Sequence, residues 1–274
     1  AHSFPTRRSS DLPDVEGKEY WIDGTAQFFD ATELPPSDEG ANTLIVKSDG
    51  SSFFKRVPTS SAEENGGEYR TEITLADDGS AQGRRVADYR GLYNPIVRNM
   101  YENRAKAKDH VESQLVSRYP GGRCTSVEIS KLEDFSTPEQ LTYEFEIPNF
   151  GTPAGSRLSV PSVFYPNVMS LRYAQLSKRE YDLVLPYRWF RTMDTKISIP
   201  EGWEVAEMPP AVEEDSPFGK YRWSASVVGG EIHITGEIQL AALRVAPEEY
   251  QALREFCQLI DNHEERRIHL RKAE

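Results

Sequence analysis

Short segments in which apolar and polar residues alternate, separated by turns containing glycine or proline, run through most of the chain. Residues 69–75 alternate before an Asp-Asp-Gly turn at 77–79, and two further alternating segments flank Gly229 and Gly230. A period of two predicts strands with one buried face, and Asp-Gly and Gly-Gly pairs suit tight hairpin turns. The pattern therefore predicts a mainly β protein of the α+β class, with a β-sandwich-like C-terminal region.

Two segments carry the helical period instead. Between Pro95 and Tyr119, apolar residues recur near every 3.6 positions, and a Pro-Gly-Gly sequence follows directly. Because proline is favoured in the first turn of a helix, we predict one long helix over residues 95–119. The segment after Pro247 predicts a C-terminal helix, which a short strand at 267–270 follows.

The first part of the chain has its own pattern of strands and turns. The segment "KEYWIDGTAQFF" (18–29) predicts a strand that ends in a turn at Asp23 and Gly24. The Ser-Asp-Gly sequence at 48–50 lies between apolar runs and predicts a hairpin. A stretch rich in Ser, Glu, Asn and Gly from Pro58 to Gly67 predicts a linker. We therefore expect modules at 13–66, 67–170 and 171–274, the second with the long helix.

Residues 2–12, "HSFPTRRSSDL", share neither charge nor pattern with the rest of the chain. They resemble the translation of a widely used DNA sequencing adapter, and the alternative is a genuine polar tail. Segments of this kind are excluded from fold reasoning. We expect residues 1–12 to be a disordered artefact, the protein to begin near Pro13, and its upstream part to have been lost.

Composition narrows the classes of partner. The net charge is −12, with 44 acidic and 32 basic residues, so a nucleic acid would meet net repulsion. No segment approaches the roughly 18 to 20 consecutive apolar residues of a membrane-spanning helix. We therefore expect a folded protein that neither binds nucleic acid nor spans a membrane in this chain.

The cysteines and histidines give little support for a metal or cofactor. Cys124 and Cys257 are the two cysteines, which rules out a four-thiolate zinc site. None of the five histidines has a partner at the i, i+4 spacing of a helical zinc motif. Cys257 falls on the apolar face of the predicted C-terminal helix, and Cys124 begins a predicted strand. We predict that both thiols are structural and that the chain holds neither metal nor cofactor.

Asp23 is the one candidate catalytic residue, and it has two interpretations. An Asp-Gly pair after an aromatic strand is an ordinary turn, because aspartate bonds its own backbone and glycine adopts positive φ. Alternatively, a carboxylate fixed at a strand end orients a histidine and stabilises the imidazolium that forms when a nucleophile loses its proton. Local sequence alone leaves both open.

A family resemblance covers residues 13–274. The segments "KEYWIDGT", "ELPPSDEG" and "TLIVKSDGSSFFKRVP" resemble the end of the transglutaminase-like core of bacterial multidomain proteins, in which a papain-like cysteine enzyme core lies between β-rich domains of unknown function. The segments "KISIPEGWEVAEMPP", "SPFGKY", "LRVAPEEYQALREF" and "RRIHL" are similar to the final domain of that family. The order and spacing of these motifs carry the resemblance.

The resemblance implies a Cys, His, Asp triad in that chain order, with Asp23 as its last member. The family often has proline where this chain has Gly24, which weakens the match but leaves the carboxylate in place. The nucleophile and the histidine of the family lie upstream, so they are absent from this chain. The longer protein would act on protein or peptide amides by hydrolysis or acyl transfer, and the chain alone would be inactive.

Two other hypotheses remain open. The β modules could form a non-catalytic binding or assembly unit, with a degenerate core even in the longer protein. Alternatively, the chain could be a purely structural β protein in which Asp23 is only a turn residue. A cysteine at a helix start and a histidine on the strand before Tyr20, both in the upstream sequence, would favour the enzyme.

Overall fold

A computed structural model describes residues 12–15, 18–30, 33–135 and 137–273. The predicted mainly β fold is confirmed, because strands make up most of its regular structure. In chain order the strands are β1 (Leu12–Val15), β2 (Lys18–Tyr20), β3 (Asn42–Val46), β4 (Ser52–Arg56), β5 (Gly66–Leu75), β6 (Ala81–Arg90), β7 (Arg123–Ile129), β8 (Gln140–Ile147), β9 (Thr152–Ala154), β10 (Arg157–Pro161), β11 (Leu183–Val184), β12 (Trp189–Ser198), β13 (Trp203–Glu207), β14 (Val212–Ser216), β15 (Gly219–Val228), β16 (Glu231–Leu240), β17 (Arg244–Val245) and β18 (Arg267–Lys272).

Eight of these strands form one large sheet in the order β14-β15-β16-β12-β5-β6-β8-β7. Its neighbouring strands run antiparallel except β5 and β12, which are parallel and join the two halves of the sheet. The sheet thus contains strands from both predicted modules, 67–170 and 171–274. The division of the chain at those boundaries stays a prediction.

One face of this sheet is buried and the other is exposed. Apolar residues such as Ile73, Ile197 and Ile234 lie on the inner face at no more than 3% exposure. On the outer face, one row across four strands alternates in charge. The row consists of Lys196, Glu72, Arg84 and Glu144. Opposite charges on neighbouring strands favour this register and keep the outer face solvated.

The inner face packs against a second sheet and a helix. The second sheet has the order β13-β18-β10-β9, and Trp203 on β13 donates its indole N–H to Asp77 Oδ1 (3.0 Å), beside the β5–β6 turn. The C-terminal helix contributes His263, whose ring lies 4.8 Å from that of Trp223 on β15. The buried residues of both sheets and of the helices form one hydrophobic core.

The prediction of one continuous helix over residues 95–119 was wrong. The structure has α1 (Tyr93–Met100), a 3-10 turn (Arg104–Lys106) and α2 (Ala107–Arg118). The backbone leaves helical geometry at Tyr101 (φ −110°, ψ 15°) and is non-helical again at Asn103 (φ −87°, ψ 85°). Asparagine favours such breaks, and the break lets Tyr101 enter the core at 2% exposure while α2 packs on β7.

Two further helices are α3 (Met169–Tyr173) and α4 (Tyr250–Glu264). The predicted C-terminal helix and the strand after it are confirmed as α4 and β18. The hairpins predicted at the turns 48–50, 77–79 and 229–230 are confirmed as β3–β4, β5–β6 and β15–β16. The predicted artefact at 1–12 lies outside the described residues, except that β1 begins at Leu12.

Glu264 at the end of α4 is a buried acid. Its carboxylate accepts hydrogen bonds from the backbone N–H and the side-chain amide of Asn167, both at 2.6 Å. Burial nevertheless raises the pKa of Glu264 from the ordinary 4.5 to about 7, against the opposing effects of Asn167 and Arg191. Because the pKa of Glu264 is higher in the folded than in the unfolded state, protonation of this carboxyl stabilises the fold. The stabilisation is complete below pH 4.5 and is lost as the pH rises through 7.

We therefore expect the free energy of unfolding of the wild type, relative to Glu264→Gln, to fall by roughly 3 kcal/mol between about pH 4 and about pH 8. Urea unfolding of both proteins across this range measures the difference. Burial lowers the pKa of His263. Because His263 is present in both proteins, its titration cancels from the difference between their free energies of unfolding. Parallel stability curves for the two proteins would contradict the expectation.

Candidate functional site

Asp23 lies in a tight turn shortly after β2. Its Oδ1 accepts hydrogen bonds from the backbone N–H (2.9 Å) and the hydroxyl (2.6 Å) of Thr25. Its carbonyl oxygen accepts from the N–H of Ala26 (3.1 Å). The side chain is half-buried, and the space around Gly24 would accommodate a Cβ. The carboxylate is therefore held in one orientation by the residues that follow it.

Two other aspartates make the same side-chain hydrogen bonds, although their backbone turns differ: Gly50 and Gly79 have positive φ and Gly24 does not. Asp49 Oδ1 accepts from the N–H (2.9 Å) and the hydroxyl (2.6 Å) of Ser51. Asp78 Oδ1 accepts from the same groups of Ser80, at 2.8 Å and 2.6 Å. These bonds hold the pKa of Asp49 and of Asp78 below the usual range. All three sites have the sequence Asp-Gly-Ser/Thr. Taken by themselves, the hydrogen bonds of Asp23 are therefore those of an ordinary turn.

Tertiary context distinguishes Asp23 from the other two. Asp49 and Asp78 are exposed and lie in turns that join paired strands, β3–β4 and β5–β6. Asp23 is half-buried, and β2 pairs with β1, which precedes it, so its turn closes no hairpin. Near it, Lys55 on β4 pairs with Glu19 (2.6 Å) and lies 5.9 Å from the centre of the Trp21 ring.

The loop after Asp23 is tied to a buried ion pair. Arg98 on α1 donates to Glu139 Oε1 (2.7 Å) and to the carbonyl oxygen of Phe28 (2.8 Å). The two charged side chains are 1% and 0% exposed. Sequence reasoning missed this contact, because a charged residue in a predicted amphipathic helix gives no sign of a counter-ion 41 positions away.

The two cysteines lie in buried positions. Cys124 on β7 is 2% exposed, its thiol donates to the carbonyl oxygen of Ser126 (3.2 Å), and burial raises its pKa. Cys257 on α4 is fully buried, and burial raises its pKa to about 12. A nucleophilic cysteine needs a lowered pKa and access to substrate. Neither thiol has these properties.

Two of the histidines, His263 and His233, have contacts of a structural kind. The buried His263 ring has its Nδ1 3.0 Å from the Tyr221 hydroxyl and its Nε2 3.1 Å from the Pro210 carbonyl oxygen. His233 pairs with Glu231 (3.2 Å) on the outer face of the sheet. His2 lies outside the described residues. Within the described ranges, no group of three or more metal-ligating side chains comes together, and no helix is long and apolar enough to cross a membrane.

Comparison with known proteins gives a match in the C-terminal part of the chain. Residues 156–270 match a domain of unknown function with a solved structure, DUF3858. This agrees with the resemblance of the same region to a domain of unknown function. No curated protein matches the chain.

The fold can also be compared with solved structures. A crystal structure of a candidate protease from Parabacteroides distasonis ATCC 8503 is similar, with a TM-score of 0.48 and 15% sequence identity. The similarity covers 94% of this chain and 34% of that protein. The chain therefore spans about one third of the length of that protein.

Proposed function

We propose that the chain is part of a longer transglutaminase-like protein in which Asp23 orients the histidine of a Cys-His-Asp triad. The motif resemblance around Asp23 motivates the proposal. The observation that carries it is that Asp23, a half-buried residue, has its carboxylate fixed by Thr25 in a turn that closes no hairpin. The substrates would be protein or peptide amides, and residues 13–66 would be the end of the enzyme core.

The proposed chemistry is acyl transfer through a thioester. The cysteine thiolate attacks the amide carbonyl, and the histidine donates a proton to the amine that leaves. Water or a second amine then attacks the thioester, which gives hydrolysis or cross-linking. Asp23 would accept the N–H of the imidazole, fix its tautomer and stabilise the imidazolium. The cysteine would come from outside residues 13–274, because the thiols of Cys124 and Cys257 are buried. The histidine would come from outside them too, as the family resemblance implies.

A second candidate function is a non-catalytic binding module. Its supporting observation is that Asp23 makes the same kind of side-chain hydrogen bond as Asp49 and Asp78, which are ordinary turn residues. The polar outer face of the large sheet also carries a shallow groove of about 690 Å³, which Glu68, Arg70, Asp194 and Arg222 help to line. In this alternative the groove, and not Asp23, would contact a partner.

Activity of a longer polypeptide that contains this chain tests the enzyme proposal. We expect it to hydrolyse a peptide amide, or to incorporate a primary amine, in a reaction that iodoacetamide blocks. Cys124→Ser/Cys257→Ser in that polypeptide is expected to retain the activity, and the present chain alone is expected to have none. Absence of activity in the longer polypeptide would favour the binding module, and activity of the chain alone would contradict the proposal.

A further inference from the structure

We propose that Arg98 is a positioning residue for Asp23, acting through the loop between them; its importance for catalysis rests on the proposed function. The buried guanidinium of Arg98 contacts three separate parts of the chain. Its Nε donates to Glu139, the residue before β8, and its Nη1 donates to the carbonyl oxygen of Phe28. The same Nη1 lies 3.6 Å from Glu33 Oε2. One side chain thus connects the large sheet to two points of the segment after Asp23, Phe28 and Glu33.

The loop needs such an anchor. Phe28 has φ of +70°, a left-handed conformation that a bulky side chain rarely adopts and that persists only when its surroundings hold it. The contact from Arg98 is made to the carbonyl of this same residue. Phe28 lies five positions after Asp23, and the turn at Asp23–Ala26 occupies most of the interval. Release of Phe28 therefore frees the segment that fixes the carboxylate.

A second residue of α1 reinforces the anchor. Asn94 lies one helical turn before Arg98, so the two side chains share a face. The Asn94 side-chain amide donates to Glu33 Oε1 (3.3 Å), and its Oδ1 accepts the backbone N–H of Glu139 (3.0 Å). Glu33 Oε2 in turn accepts the N–H of Asp30 (3.3 Å). Helix α1 therefore holds the loop at Phe28 and at Glu33.

The fork of the guanidinium is essential to this role. An arginine donates in two directions at once, whereas the lysine ammonium is a single point charge. Arg98→Lys keeps a positive charge opposite Glu139, but its donors all lie on one nitrogen, whereas Arg98 uses Nε for Glu139 and Nη1 for Phe28; we therefore expect the contact with the Phe28 carbonyl to be lost. The turns at Asp49 and Asp78 have the same side-chain hydrogen bonds as the Asp23 turn, and within the described residues they make no contact with Arg98. They serve as internal controls.

Backbone ¹⁵N order parameters of the present chain test the proposal. In the wild type we expect order parameters of about 0.85 at Thr25 and Ala26. In Arg98→Lys we expect order parameters below about 0.6 at the same positions. Ser51 and Ser80, in the control turns, are expected to keep their values. Glu33→Gln, which weakens the second anchor, is expected to give a smaller decrease at the same two positions. Val111→Ala, a core change on α2, lowers overall stability and is expected to leave Thr25 and Ala26 unchanged.

Unchanged order parameters at Thr25 and Ala26 in Arg98→Lys would overturn the proposal. An equal decrease at Ser51 and Ser80 would also overturn it, because it would show a general loss of structure. These measurements need no enzyme activity, so they are independent of the proposed function. In an active longer polypeptide, Arg98→Lys is expected to lower kcat at least tenfold with little change in KM.

Discussion

Glu139→Gln is expected to lower the free energy of unfolding by about 3–5 kcal/mol, because it leaves the buried charge of Arg98 without its principal counter-ion. The pair is almost completely removed from water, at 1% and 0% side-chain exposure. Its Nε–Oε1 distance of 2.7 Å is that of a charge-assisted hydrogen bond. Glu33 lies 3.6 Å from Arg98 and is 16% exposed, so it compensates only in part.

Urea unfolding of Glu139→Gln measures this effect, and a double-mutant cycle of Arg98→Met and Glu139→Leu measures the coupling of the pair. The double variant Arg98→Met/Glu139→Leu removes both charges and is expected to recover much of the stability that Arg98→Met or Glu139→Leu alone loses. Glu133→Gln is the matched control, because Glu133 pairs with Arg104 at 80% and 45% exposure. That change is expected to cost less than about 1 kcal/mol. A cost at Glu139 no larger than that at Glu133 would contradict the expectation.

Local sequence predicted the parts of the fold that local chemistry decides. The hairpins at 48–50, 77–79 and 229–230 follow from the turn preferences of Asp-Gly and Gly-Gly pairs. Helix α4 follows from its apolar period and the proline before it. The parallel pairing of β5 with β12 has no local signal, because it joins strands more than a hundred residues apart. The break at Asn103 also depends on tertiary packing, since it places Tyr101 in the core.

At the candidate site, too, local sequence predicted the turn but not the tertiary contacts. The sequence around Asp23 predicts its turn, and the Thr25 hydrogen bonds have the expected form. The sequence could not show that the loop after it is held by Arg98, because that contact spans 70 positions. Nor could it show that Asp23, which shares the Asp-Gly-Ser/Thr sequence with Asp49 and Asp78, is less exposed than they are. Both features depend on how separate parts of the chain pack together.

Asp23→Asn in an active longer polypeptide is expected to lower kcat by about 10²–10⁴-fold, because asparagine neither fixes the required histidine tautomer nor stabilises its positive charge. Asparagine keeps an oxygen that accepts the hydrogen bonds of Thr25, so the turn persists. We therefore expect the free energy of unfolding to change by less than about 0.5 kcal/mol. The substitution thus separates loss of a catalytic charge from loss of a turn.

The most direct test of the account compares kcat among Asp23→Asn, Asp49→Asn and Asp78→Asn in that polypeptide. The three carboxylates accept the same side-chain and backbone N–H hydrogen bonds from the residue two positions on, so the two exposed sites report what the substitution does to those bonds alone. The account predicts a loss of at least about a hundredfold at Asp23 and wild-type rates at Asp49 and Asp78. Equal rates in all three variants would contradict it and would assign Asp23 to the turn alone.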